Sequence, residues 1–160
     1  MEDKFADRAF DTRAVWSGTK NIEGSATTPA FLTSTYQLTD ERYRRWAESG
    51  GHHTLLYSRY SSINSEAVSS KVASLEGAED GETFASGMSA VSTALLALLS
   101  KDDHMVASAD CYGGTYGLIT EDLPRFGIEV SMADMRDPSS YEAAIQENTK
   151  VLYVETLTNP

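Results

Sequence analysis

Residues 82–108 read Glu82-Thr-Phe-Ala-Ser-Gly-Met-Ser-Ala-Val-Ser-Thr-Ala-Leu-Leu-Ala-Leu-Leu-Ser-Lys-Asp-Asp-His-Met-Val-Ala-Ser108. Glu82-Thr-Phe-Ala85 suits a short buried strand, Ser86-Gly87 a turn, the Ala- and Leu-rich run from Met88 to Leu99 a helix, and His104-Met-Val-Ala-Ser108 another strand. The apolar part of the helix is broken by Ser92 and Thr93. It falls well short of the roughly 20 residues a bilayer span needs. Downstream the alternation continues, with a helix expected over Thr115–Phe126, a strand over Ile128–Ala133, a helix over Ser139–Glu147 and a strand over Val151–Glu155. Repeated strand–helix units predict an α/β fold, a mostly parallel sheet flanked by helices, with ligands bound beyond the carboxyl ends of the strands.

Toward the N-terminus, Ala67, Lys71, Val72 and Leu75 fall at helical spacing before Gly77, which predicts a helix of about 12 residues. From Met1 to Leu56 there is no sustained period, and Trp16, Phe31, Tyr36 and Tyr43 are separated by Gly, Ser, Thr and Pro. Residues 1–58 are therefore expected to form an extended N-terminal arm with little core of its own that packs on something else. Its one helix is expected from Asp40 to Ser49, capped by Thr39 or Asp40 and closed by Gly50-Gly51. Residues 59–160 then form the first part of an α/β/α domain.

The formal net charge of −11 argues against nucleic acid as a partner, because phosphate backbones are bound by clustered Lys and Arg. It disfavours an anionic membrane surface for the same reason. Cys111 stands alone and cannot form an internal disulfide, and Met1-Glu-Asp-Lys4 lacks the charge-then-apolar pattern of a secretory leader. A cytoplasmic setting is expected. His52-His53 lacks a third ligand at useful spacing, so no metal is expected.

Residues capable of chemistry gather in the turns after strands. Ser86-Gly-Met-Ser-Ala90 opens a helix with small residues, and free N–H groups at such a start suit a phosphate, although a packing glycine gives the same string. In Asp110-Cys-Tyr-Gly-Gly-Thr-Tyr116, two glycines let backbone approach a ligand and leave Tyr112 able to stack on a planar ring or to pack. Glu155-Thr-Leu-Thr-Asn-Pro160 puts an Asn held by Pro after the last strand, which is also an ordinary turn. At the end of the arm, Tyr57-Ser-Arg-Tyr60 read as extended chain points Tyr57 and Arg59 the same way, fit to clamp one phosphate or to sit at the surface.

In order along the chain, these stretches resemble the Cys/Met-metabolism family of pyridoxal-phosphate enzymes, which includes cystathionine gamma-synthase, cystathionine lyases, methionine gamma-lyase and O-acetylhomoserine sulfhydrylase. The resemblance covers nearly the whole sequence. It runs through Thr28-Pro29, Thr33-Ser-Thr-Tyr36, Tyr57-Ser-Arg-Tyr60, Leu75-Glu-Gly77, Ser86-Gly-Met-Ser-Ala90, Tyr112-Gly-Gly-Thr115, Leu123-Pro-Arg-Phe-Gly127 and Glu155-Thr-Leu-Thr-Asn-Pro160. It implies the fold type I of the aspartate-aminotransferase-like enzymes and pyridoxal 5'-phosphate as cofactor. The amides of Gly87 and Met88 would hold the phosphate. Tyr112 would stack on the ring and is placed for proton transfer, Asn159 would bond the phenolic oxygen, and Glu155 would support the pocket. Tyr57 and Arg59 would reach the phosphate of a neighbouring subunit in a homodimer or homotetramer with shared sites.

The resemblance also implies that the Schiff-base lysine, the acid paired with the ring nitrogen and the arginine that binds the substrate carboxylate lie beyond Pro160. Lys20, Lys71, Lys101 and Lys150 do not follow a strand end, so none is expected to replace that lysine, and these 160 residues alone are expected to be inactive. The implied function is elimination or replacement at the beta or gamma carbon of cystathionine, O-acylhomoserine or a related sulfur amino acid. The alternative is an inactive fragment that only binds phosphate or associates with a subunit. Ser62-Ile63-Asn64 departs from the family's usual Asn-Pro-Thr, Leu157 replaces a commoner Pro, and Gly114 stands where some methionine gamma-lyases have Cys. A nicotinamide dehydrogenase would need G-x-G-x-x-G and a serine hydrolase G-x-S-x-G, and neither string occurs.

Overall fold

The computed structural model describes residues 4–51 and 54–158, and they form two compact units, Met1–Thr83 and Phe84–Pro160. The second unit contains the sheet. Strand β1 (His104–Ser108) is central, β2 (Glu129–Ala133) lies on one side and β3 (Thr149–Tyr153) on the other, all parallel. All five residues of β1 are buried. A parallel strand with neighbours on both edges and cover on both faces needs this near-continuous apolar composition.

Helix α4 (Gly87–Leu98) begins at Ser86, whose hydroxyl accepts the Ser89 amide at 3.1 Å. Leu95 from α4, the following Leu99, Met105 and Ala107 from β1, and Ile119, Leu123 and Ile128 from the next crossover form one apolar core. Burial of each large side chain contributes about 1.5–3 kcal/mol. His104 is fully buried but not apolar. Its Nδ1 pairs with Thr149 Oγ1 at 2.7 Å and its Nε2 with Ser131 Oγ at 2.9 Å, so one ring ties the central strand to both neighbours.

The helix expected over Thr115–Phe126 is divided into α5 (Gly113–Gly117), a π turn (Leu118–Asp122) and α6 (Leu123–Arg125). Pro124 lacks an N–H and cannot continue the α ladder, and the Leu123 amide bonds the Leu118 carbonyl one residue further back than an α-helix requires. Helix α7 (Pro138–Ala144), capped by Asp137, leads to β3. The strand expected at Glu82–Ala85 is not formed, and Phe84 is 40% exposed. Central β1 pairs on both sides with β2 and β3, and the 82–85 segment joins no ladder among the described residues.

In the first unit, α2 (Asp40–Ser49) has the expected Thr39 cap and left-handed Gly50 end, and α3 (Ile63–Glu76) ends at left-handed Gly77. Helix α1 (Phe10–Trp16) was not expected from the sequence. It is short and has no buried residue, so no apolar stripe announces it. It is held against α3 by Lys71 Nζ donating to the Val15 carbonyl at 2.9 Å, by Ser74 bonding Ser17 at 3.0 Å, and by Arg13 donating to the Ser74 carbonyl. No helix among the described residues is long and apolar enough to cross a membrane.

The departure at Ser62-Ile63-Asn64 has a structural role. Ser62 caps α3 by accepting the Ser65 amide at 3.1 Å. Asn64 accepts the Phe31 amide and donates to the Pro29 carbonyl, both at 2.8 Å, so one side chain fixes a stretch of chain more than 30 residues earlier.

Candidate cofactor site

Strands β1 and β3 end at the same edge of the sheet, and the start of α4 and the start of α5 meet there. At α4, the first-turn N–H groups of Gly87 and Met88 have no intrahelical acceptor, as in every helix start. A β-carbon built on Gly87 would meet no atom within 4 Å, and the backbone there is not left-handed. Neither packing nor conformation therefore calls for glycine at 87. Its bare backbone leaves open space at a positive helix end, which suits an anionic group.

Tyr112 precedes α5 with its side chain 47% exposed. A β-carbon on Gly114 would lie 2.6 Å from Tyr112 Cε1 and 3.1 Å from Met88 Sδ. The ring therefore fills the volume that a residue-114 side chain would take, and it shares that volume with the first turn of α4. Thr115 is buried below, its hydroxyl 3.8 Å from Met88 Sδ.

Glu155 Oε2 accepts the Tyr112 amide at 2.9 Å, and Glu155 Oε1 accepts the Tyr153 hydroxyl at 2.8 Å. Burial pushes the Glu155 carboxyl upward, but the Tyr112 amide and the hydroxyls of Tyr153 and Thr115 outweigh it and hold the group below its ordinary value. Burial, then the bond to Glu155, pushes the Tyr153 phenol above its ordinary value. Burial also raises the Cys111 thiol, with added repulsion from Glu155 and Asp110, so this cysteine is kept as a thiol beside Tyr112 rather than as a nucleophilic thiolate.

The structure thus brings Gly87, Met88, Tyr112 and Glu155 to one sheet edge. Asn159 lies outside the described residues, as do His52 and His53. Tyr57 and Arg59 belong to the first unit and form their own group. Tyr57-Ser-Arg-Tyr60 is not extended. It folds as a turn in which the Tyr60 amide bonds the Tyr57 carbonyl at 2.8 Å, because pairing with Thr35 ends at Tyr57. The two side chains still meet, with the Arg59 guanidinium 5.3 Å from the Tyr57 ring centre and 5.1 Å from that of Tyr60. Tyr153 was missed in the sequence. Strand alternation was the available signal, since Val151, Tyr153 and Glu155 share one face. No group of three or more His, Cys, Asp or Glu among the described residues is arranged to hold a metal.

The parallel sheet, with helices on it, makes this an α/β protein, and the open helix start, exposed aromatic ring and anchored carboxylate at its carboxyl edge suit a phosphorylated planar ligand. The family model for Cys/Met metabolism PLP-dependent enzymes matches residues 11–160, and the chain belongs to that family. It is 38% identical over 154 residues to L-methionine gamma-lyase of Porphyromonas gingivalis, covering 94% of this chain and 38% of that protein. It is 47% identical over 104 residues to cystathionine beta-lyase MetC of Bacillus subtilis, covering 65% of this chain and 26% of the relative.

Among solved structures, a Campylobacter jejuni chain assigned as O-acetylhomoserine (thiol)-lyase, crystallised with N'-pyridoxyl-lysine-5'-monophosphate, superimposes with a TM-score of 0.85 at 32% identity. The match covers 94% of this chain and 38% of that one. Cystathionine gamma-lyase of Lactobacillus plantarum, complexed with L-serine, gives 0.81 at 34% identity over 95% of this chain and 38% of the other. The chain therefore spans well under half the length of these relatives.

Proposed function

We propose that this chain supplies the phosphate cradle and the ring-stacking wall of a pyridoxal 5'-phosphate enzyme of trans-sulfuration. The reaction is elimination or replacement at the beta or gamma carbon of cystathionine, O-acylhomoserine or a related sulfur amino acid. The observation that carries this reading is the pairing of open space at Gly87, where a β-carbon would meet no atom within 4 Å, with the Tyr112 ring and Met88 Sδ that crowd Gly114 at the same sheet edge. When bound, the cofactor supplies an electron sink for the charge left on the substrate's alpha carbon.

The residues of this chain bind and orient. The Gly87 and Met88 amides would hold the phosphate, Tyr112 would stack on the ring with its hydroxyl available for proton transfer, and Glu155 holds the Tyr112 backbone. Asn159, by the family resemblance, would bond the phenolic oxygen. Tyr57 and Arg59 present a cation between aromatic faces to the phosphate of a neighbouring subunit, with residues 1–58 making the subunit contacts of a homodimer or homotetramer.

The test uses the full reading frame that carries this chain. Pyridoxal phosphate is titrated by absorbance, and ammonia and keto acid are measured with cystathionine, with methionine, and with O-acylhomoserine plus cysteine. Turnover of at least one is expected. Inactivity on all three in a cofactor-loaded protein would sink the assignment.

A further inference from the structure

Tyr153 lies outside every motif that points to the cofactor, yet its hydroxyl fixes Glu155. A carboxylate at a strand end rotates freely unless both oxygens are engaged. Here Oε1 takes the Tyr153 hydroxyl at 2.8 Å and Oε2 takes the Tyr112 amide at 2.9 Å. The donors, Tyr112 and Tyr153, are 41 residues apart in sequence, so the carboxylate bridges the end of β3 to the start of α5. Tyr112 itself is at φ −55° and ψ 137°, outside the helix, and no side chain of its own caps α5. Its amide is held by Glu155 rather than by helical bonding. Tyr153 is held in turn, since its carbonyl accepts the Tyr141 hydroxyl at 3.1 Å.

We propose that Tyr153 is a positioning residue that acts through Glu155 to hold the Tyr112 backbone, and with it the ring, beside the open face of α4. The assignment of a cofactor role rests on the reading of Tyr112 given above. The protonation states agree with this relay: Tyr153 is kept as a donor and Glu155 as an acceptor across the neutral range. With both oxygens committed, Glu155 serves as an anchor and does not trade protons with substrate.

The experiment compares the full chain with Tyr153→Phe, Glu155→Gln and the double variant. Tyr153→Phe keeps the ring and deletes one hydroxyl, and Glu155→Gln keeps the shape. Amide hydrogen exchange is followed for peptides covering 110–117 and 104–108. Exchange in 110–117 is expected to quicken about tenfold in each single variant while β1 stays protected, with the double variant no worse than Glu155→Gln, because residues acting in one relay are not additive. Unchanged exchange in Tyr153→Phe, or equal loss in both peptides, overturns the proposal. A parallel titration with pyridoxal phosphate separates the two readings. If the unmodified protein binds none, the cofactor reading fails, while the exchange data still decide the relay.

Discussion

The Tyr112 ring lies where a side chain on Gly114 would project, with Cε1 2.6 Å from the β-carbon position. Glycine at 114 is therefore the condition for the ring's placement. In Gly114→Ala the exposed ring moves rather than the buried core, so global stability is expected to change by less than about 1 kcal/mol, helped by alanine's helix preference. Affinity for pyridoxal phosphate is expected to fall about tenfold, read by absorbance titration. Unchanged affinity would show that the ring's position does not matter to binding.

Gly18 is a different case. Its φ is +70°, and a β-carbon would sit 2.3 Å from the Ala67 carbonyl oxygen and 2.8 Å from the Lys71 nitrogen, both backbone atoms of α3. Gly18→Ala combines left-handed strain with a clash that no side-chain movement relieves, at a cost of about 2–4 kcal/mol. Gly24, at φ +81° with nothing within 4 Å, is the control. Its alanine variant should lose only about 1–2 kcal/mol. Urea midpoints of the two variants check the difference.

Asn64→Ala removes the partners of the Phe31 amide and the Pro29 carbonyl together. A loss of about 1–3 kcal/mol is expected, since backbone groups left half-buried without partners cost more than the bonds themselves gained. Faster proteolysis near residues 29–31, at unchanged helix content, is the accompanying sign.

His104→Leu keeps the volume at the foot of the sheet but leaves the hydroxyls of Ser131 and Thr149 without the ring nitrogens they now face. About 2 kcal/mol or more should be lost. Adding Ser131→Ala to this variant is expected to return part of the loss, because a methyl group has no bond to miss. A denaturation series of the single and double variants measures it.

The Glu155 carboxyl, below its ordinary 4.5 when folded, contributes stability that is complete above that value and is lost as pH falls through the lower folded one. The Tyr153 phenol is raised above 10.0, so its contribution is complete below that value and is lost as pH rises through the folded one. Relative to the unmodified protein, Glu155→Gln should flatten the acid limb of a stability–pH curve and Tyr153→Phe the alkaline limb. Identical curves would mean that the pair carries no stability.

The sequence by itself determined the strand–helix alternation from Met88 onward, the glycine-closed ends of α2 and α3, and the residue types of the site. These are written in local signals: apolar period, caps and small-residue turns act within a few residues. The tertiary structure alone decided that Glu82–Ala85 would not pair among the described residues. It also decided that Tyr57-Ser-Arg-Tyr60 would turn, that Asn64 would hold Pro29 and Phe31, and that Tyr153 would bind Glu155. Each turns on contacts, made or not made, between separate segments. Such contacts depend on where the chain returns in space, which no local pattern of residues encodes.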